Sequence, residues 1–228
     1  MMRVLFLLNK LNETDLSSLI ERYLGGFQVE VSDIVPEETA DYDLIVLWNY
    51  KKILKGIGRN RNVMVFHSTD LPKGKGWAPI YNTIIREEKE YCITGILVND
   101  EIDAGEYIVK AKFSMKPNYL AKHLRVWDEE LCFLLIGKIL NRFPSGGLKG
   151  IPETGEGDFY PKRKAEDNRM DVNTSLLQNI NHLRACEDGH PAYFIQNGIK
   201  YTLKLDVAEE PEFPTDITIQ FYDQPQST

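Results

Sequence analysis

The chain has 228 residues, 43% of them hydrophobic and 27% charged, with a formal net charge of −7 at pH 7. This composition excludes a disordered chain and disfavours a general nucleic-acid binder, which needs a basic face. Three cysteines, Cys92, Cys132 and Cys186, are odd in number and far apart, so neither a disulfide framework nor a CxxC metal site is expected and a reducing, cytoplasmic setting is the default.

Arg3–Leu8 is a continuous apolar run, as a strand buried on both faces requires. With Met2 it is far shorter than the roughly 20 residues of a membrane span. It leads into Asn9-Lys10 with no small-residue cleavage site, so it reads as a first strand and not a signal peptide. Thr14 or Asp15 can cap a helix. Leu16, Leu19, Ile20, Tyr23 and Leu24 then recur at helical spacing up to Gly25-Gly26. Residues 27–31, 43–48 and 63–66 read as further strands. Short apolar strands alternating with helical stretches predict right-handed parallel βαβ units.

After residue 90 the pattern changes. Residues 91–98 and 107–113 predict two strands joined by an acidic loop. Residues 128–143 predict a helix with Leu131, Leu134, Leu135, Gly137 and Leu140 on or near one face. Residues 144–168 hold five glycines and three prolines and predict a long loop, a kind of segment that often carries function. A helix is expected over 171–188 and strands over 192–196, 199–207 and 216–222, with a hairpin turn at Asn197-Gly198. His182, Cys186 and His190 are four apart, but Gly189 and Pro191 break the helix and no fourth ligand is evident, so no metal is expected.

The segment with the most chemical content is His67-Ser68-Thr69-Asp70-Leu71-Pro72-Lys73-Gly74-Lys75-Gly76-Trp77-Ala78-Pro79. Its histidine directly follows a buried strand, at the strand end where open parallel sheets bind ligands. The glycines let backbone N–H groups approach a ligand. The second segment is Asn99-Asp100-Glu101-Ile102-Asp103-Ala104-Gly105. A carboxylate beside a histidine fixes its tautomer and stabilises its imidazolium form.

These two segments, with Asp103 following His67 by 36 residues, resemble the folate-dependent formyltransferase family. That family carries Asn-x-His-x-Ser-Leu-Leu-Pro, a glycine-containing loop and a later aspartate. The resemblance covers residues 3–140 and extends weakly to 161–194, through Tyr160-Pro161-Lys162-Arg163, Leu183-Arg184-Ala185 and Pro191-Ala192-Tyr193-Phe194. It implies an α/β, Rossmann-like catalytic domain over 1–143. A small C-terminal α+β lobe would follow over 144–228, made of a long loop, a helix and a β-hairpin.

By this resemblance the co-substrate is N10-formyltetrahydrofolate and the acceptor a primary amine. His67 is expected to take part in proton transfer and Asp103 to orient and support it. Trp48, Asn49, Tyr50, Ser68, Leu97, Asn99 and Asp103 would meet the folate. Lys73, Gly74, Lys75, Gly76, Trp77 and Pro79 would meet the acceptor, with Lys162 and Arg163 available to a diphosphate. The family's asparagine, two residues before the histidine, is Val65 here. Valine cannot stabilise an oxyanion, so either Asn49 replaces that donor, or the rate is lower, or the chain binds without transferring.

The place after the first strand reads Asn9-Lys10-Leu11-Asn12-Glu13, without the Gly-Ser-rich phosphate loop of the glycinamide ribonucleotide branch. Only about 85 residues follow the catalytic part and the chain is acidic, which disfavours a tRNA acceptor. A nucleotide-linked amino sugar is the expected acceptor, with another small amine as the alternative. The C-terminal strands could serve as the edge of a homodimer.

Overall fold

The computed structural model describes residues 1–11, 15–36, 39, 41–50, 62–98, 105–143 and 147–222. In chain order the strands are β1 (Arg3–Leu7), β2 (Gln28–Ser32), β3 (Leu44–Leu47), β4 (Val63–His67), β5 (Lys75–Gly76), β6 (Glu90–Val98), β7 (Gly105–Ser114), β8 (Ile151–Pro152), β9 (Phe159–Tyr160), β10 (Ala192–Gln196), β11 (Ile199–Leu203) and β12 (Thr218–Phe221). The helices are α1 (Ser17–Leu24), α2 (Pro79–Ile85), α3 (Ala121–Arg142) and α4 (Ile180–Ala185), with a short 3-10 turn at Ala165–Asn168.

The main sheet runs β12-β7-β6-β4-β3-β1-β2, with β8 also paired to β7. Strands β2, β1, β3 and β4 are mutually parallel, as the alternating sequence pattern requires. Strands β6, β7, β8 and β12 extend the sheet antiparallel. The unbroken apolar character of β1 follows from burial on both faces. Val4, Phe6 and Leu8 enter the larger core with α1, α2 and α3, while Leu5 and Leu7 pack on the other face with Tyr42, Ile45 and Val63. Strand β3 divides in the same way, with Leu44, Val46 and Trp48 facing the helices.

Three sequence expectations are revised. Helix α3 begins at Ala121, not at residue 128. Its N-terminus lacks a Ser, Thr, Asp or Asn cap; instead the Leu120 N–H donates to Nδ1 of His123 at 3.0 Å, and Ala121, Leu124 and Trp127 extend the buried face. The helix expected over 171–188 shrinks to Ile180–Ala185. Asp171, Asn173, Thr174 and Ser175 form local side-chain bonds over 171–179 that compete with helix. The long 144–168 loop is tied down at two points, by β8 on β7 and by β9 on β5. The hairpin appears as β10 and β11, around Asn197 and Gly198, both with positive φ. The chain then returns to the main sheet through β12.

At Gly137, α3 approaches the α1 backbone closely. A Cβ there would lie 2.9 Å from the Tyr23 carbonyl oxygen. Helix propensity alone favours Gly137→Ala by about 1 kcal/mol, but the backbone contact opposes it. The substitution is expected to lower the urea midpoint by the equivalent of about 1–3 kcal/mol with an unchanged slope. A raised midpoint would show that the helices separate freely.

Candidate active site

The C-terminal ends of β1, β3 and β4 meet at one rim of the sheet. The Asn9 amide donates to the Asn49 carbonyl at 2.5 Å, and Asn49 holds a left-handed φ of 49°. One position further on each strand, side chains alternate between faces. Phe66 and Ser68 therefore point to the helix side of β4, and His67 to the other.

His67 is buried at 9% exposure. Its Nε2 lies 2.8 Å from the Gly74 carbonyl oxygen, which also accepts from the Thr69 hydroxyl at 3.3 Å. A carbonyl only accepts, so Nε2 carries the proton and Nδ1 is the basic nitrogen of the neutral ring. The loop that delivers Gly74 is anchored at several points. The Lys73 N–H donates to the Asp70 carbonyl at 3.1 Å. Asp70 pairs with Lys110 at 2.7 Å and Lys112 at 2.5 Å, and Lys110 also donates to the Leu71 carbonyl. Burial acts to raise the Asp70 carboxyl, but the two lysine hydrogen bonds outweigh it and leave it below its ordinary value.

On the helix side is a polar cavity of about 60 Å³, lined by residues that include Asn49, Ser68, Arg125, Asp128 and Glu129. Trp48 also lines it, and its buried indole N–H has no hydrogen-bond partner among the described residues. The Tyr91 hydroxyl donates to Asp128 at 2.7 Å. Burial pushes the Asp128 carboxyl above its ordinary range, against the opposing hydrogen bonds of Tyr91 and Ser68 and the charges of Arg125 and His67. Burial likewise raises Glu129. Sequence reasoning passed over Asp128 as the first residue of a helix. The available signal was an acid at helical spacing among Leu124, Trp127, Leu131 and Cys132.

The other expected site residues fall into distinct settings. The Trp48 ring is 5% exposed and packs edge-on to Phe133, so it offers the cavity an N–H and not a face. Leu97 is buried in the main core. Tyr50 packs beside the Leu5, Leu7 and Ile45 cluster. Val65 belongs to an apolar cluster with Leu71, Ile96 and Tyr107. Lys75 forms a 2.6 Å ion pair with Glu153. Arg163 stacks on Tyr81 and donates to Asn168 at 2.9 Å. Trp77 is exposed, with the Lys162 ammonium 4.9 Å from its ring centroid. Lys73 is exposed nearby in sequence. Gly76 pairs with Tyr160 across β5 and β9, and Pro79 opens α2. Asn99 and Asp103 lie outside the described residues.

Cys92 and Cys132 are not nucleophiles in this setting. Burial pushes the Cys92 thiol up to about 12 and Cys132 well above its ordinary value. Among the described residues no cluster of three metal-ligating side chains occurs, and no helix is long and apolar enough to cross a membrane.

The elevated Asp128 carboxyl makes a stability prediction. The folded state retains this proton to higher pH than the unfolded chain, so the group's contribution falls as pH rises through its unfolded and then its folded pKa. Asp128→Asn keeps an acceptor for both hydroxyls and removes the buried charge. It is expected to melt above wild type near about pH 8, with the difference shrinking toward about pH 4. A difference that stays constant across that range would contradict the assignment.

No family model matches the chain. It is 29% identical over 148 residues to methionyl-tRNA formyltransferase of Streptococcus equi subsp. equi, a match covering 63% of this chain and 47% of that protein. The chain thus spans about half the length of the curated relatives it matches. Among solved structures, methionyl-tRNA formyltransferase from Clostridium thermocellum superposes with a TM-score of 0.71 at 20% identity, covering 97% of this chain and 100% of that one. A sugar N-formyltransferase from a Shewanella species gives 0.68 at 18% identity, over 92% and 100%. HypX from Aquifex aeolicus in complex with tetrahydrofolic acid gives 0.72 at 21% identity, over 90% and 37%. The three superpositions establish a shared fold, and the sequence match makes the chain similar to the methionyl-tRNA formyltransferases over 148 residues.

Proposed function

We propose that the chain transfers a formyl group from N10-formyltetrahydrofolate to the primary amine of a small polar acceptor, a nucleotide-linked amino sugar. The observation that carries this reading is the buried His67 at the C-terminal end of β4, its ring oriented by the Gly74 carbonyl so that Nδ1 is basic. The amine attacks the formyl carbon and a tetrahedral intermediate forms. His67 accepts the amine proton, the bond from carbon to folate N10 breaks, and N10 takes up a proton. Asp103 supports the imidazolium. Asn49 replaces Val65's missing donor at the oxyanion, and with Tyr50, Ser68 and Asn99 it faces the folate.

The acceptor reading rests on chemistry around the loop. Trp77 with Lys162 presents a flat, cationic edge that suits a base and diphosphate. Lys73 adds a further cation, whereas the charge of Lys75 is already met by Glu153.

The test is a mass-spectrometric assay of formyl gain on amine-bearing nucleotide sugars. His67→Ala and Asp103→Ala are each expected to abolish turnover while the protein stays folded. Asn49→Ala is expected to lower kcat about 100-fold or more. Near wild-type rates in either His67→Ala or Asp103→Ala would displace the site. A second reading, favoured by Val65, is a folate- or nucleotide-binding protein without transfer; it predicts ligand binding with no formyl gain on any amine.

We also assign a second copy of the chain to the exposed face formed by Ile199, Tyr201 and Leu203 on the β10–β11 hairpin. Sedimentation velocity is expected to show a dimer that Tyr201→Lys weakens; a monomer at high protein concentration would refute it.

A further inference from the structure

The loop around His67 is closed from outside by a segment more than eighty residues downstream, and one side chain there stands apart. Asp158 accepts a hydrogen bond from the Gly74 N–H at 2.5 Å through one carboxylate oxygen. Its other oxygen accepts from Arg86 at 3.1 Å, and its own carbonyl accepts from the Lys75 N–H at 3.1 Å. The Arg86 guanidinium in turn lies 4.3 Å from the centroid of the Tyr160 ring. Gly74 is thus held through its N–H by Asp158, while its carbonyl holds His67.

Gly74 occupies a space and a conformation that do not admit a side chain. Its φ is +70°, and a Cβ there would lie 2.7 Å from the Tyr160 ring and 2.8 Å from the Thr69 methyl. A glycine at positive φ has broad intrinsic freedom, so what fixes the direction of its carbonyl is the set of bonds on either side. Gly157, beside Asp158, lies so close to Pro72 that a Cβ would fall 2.3 Å from the Pro72 carbonyl oxygen. The downstream segment therefore sits directly on the loop it orders.

We infer that Asp158 is a positioning residue for His67, setting the imidazole tautomer through the Gly74 main chain. The inference rests on the reading of His67 as the proton-transfer group. Without the carboxylate, the Gly74 N–H loses its acceptor; the bonds from the Lys75 N–H to the Asp158 main chain and from the Thr69 hydroxyl to the Gly74 carbonyl remain, but the carbonyl is held less firmly toward Nε2 and the Nε2–H tautomer loses part of its preference. Asp158 touches neither reacting group, so its effect falls on turnover and not on binding of the folate.

Two measurements test this on the full-length protein. The first is a nitrogen-15 NMR spectrum of the histidine side chains, with His67→Gln identifying the His67 signals. Wild type is expected to show His67 in the Nε2–H form. Asp158→Ala is expected to show an averaged tautomer, and Asp158→Asn, which retains an acceptor for the Gly74 N–H, to restore the wild-type spectrum. The second is steady-state kinetics. Asp158→Ala is expected to lower kcat about 10- to 100-fold with KM for the formyl donor little changed, and Asp158→Asn to recover most of the rate. An unchanged His67 tautomer in folded Asp158→Ala overturns the inference, whatever the activity. A shifted tautomer in Asp158→Ala, together with a wild type that transfers no formyl group, would instead overturn the functional reading and leave the positioning intact. If Asp158→Ala does not fold, Arg86→Met, which frees the carboxylate from its second partner, is expected to give a smaller shift of the same kind; none would overturn the inference.

Discussion

A buried imidazole must be hydrogen-bonded, and His67 obtains its partner from a carbonyl seven residues further along its own chain. That requirement organises much of the surrounding structure. The chain has to leave β4, turn back and present Gly74 edge-on to the ring. The turn is stabilised by Asp70 between Lys110 and Lys112 on β7, and its outer side is covered by β9 and Asp158. Segments far apart in sequence are thereby committed to one loop. The ion pairs involved are only partly shielded, so each adds little to global stability. Their effect is local: they confine a glycine-rich loop to one geometry.

The sheet contributes the other half of the arrangement. Because β4 alternates its side chains, His67 faces the loop while Ser68 faces the cavity with Asp128. A buried imidazole and a hydrogen-bonding recess thus occupy adjacent positions on opposite faces of one strand end. The strand end is fixed in turn by the parallel pairing of β4 with β3 and by the double-sided burial of β1. Parallel strands place this rim where ligands of open α/β sheets are found.

Local patterns were legible in the sequence, and distant pairings were not. The apolar runs of β1, β3 and β4 gave their position and type because burial on both faces leaves no alternation to misread. The Asn197-Gly198 turn was legible because few other residues tolerate its positive φ. Helix α3 was read too short, since its start depends on a histidine ring in place of a usual cap. The two-residue β5–β9 pairing and the return of β12 to β7 are set by contacts that no local window contains. At the site, the motif pointed to His67 and its loop. Asp128 and Asp158 escaped notice because their meaning lies in burial and in a main-chain partner across the fold.

The proposed binding of a formyl-folate at this rim is tested by thermal unfolding of wild type and His67→Ala with 5-formyltetrahydrofolate, a stable analogue of the formyl donor. Ligand at about 100 times its dissociation constant stabilises a folded protein by roughly 2.7 kcal/mol. A clear upward shift is expected in both proteins, because the role proposed for His67 lies in the transfer step and not in binding. A flat curve for folded wild-type protein would contradict it and leave the kinship with formyltransferases as one of architecture alone.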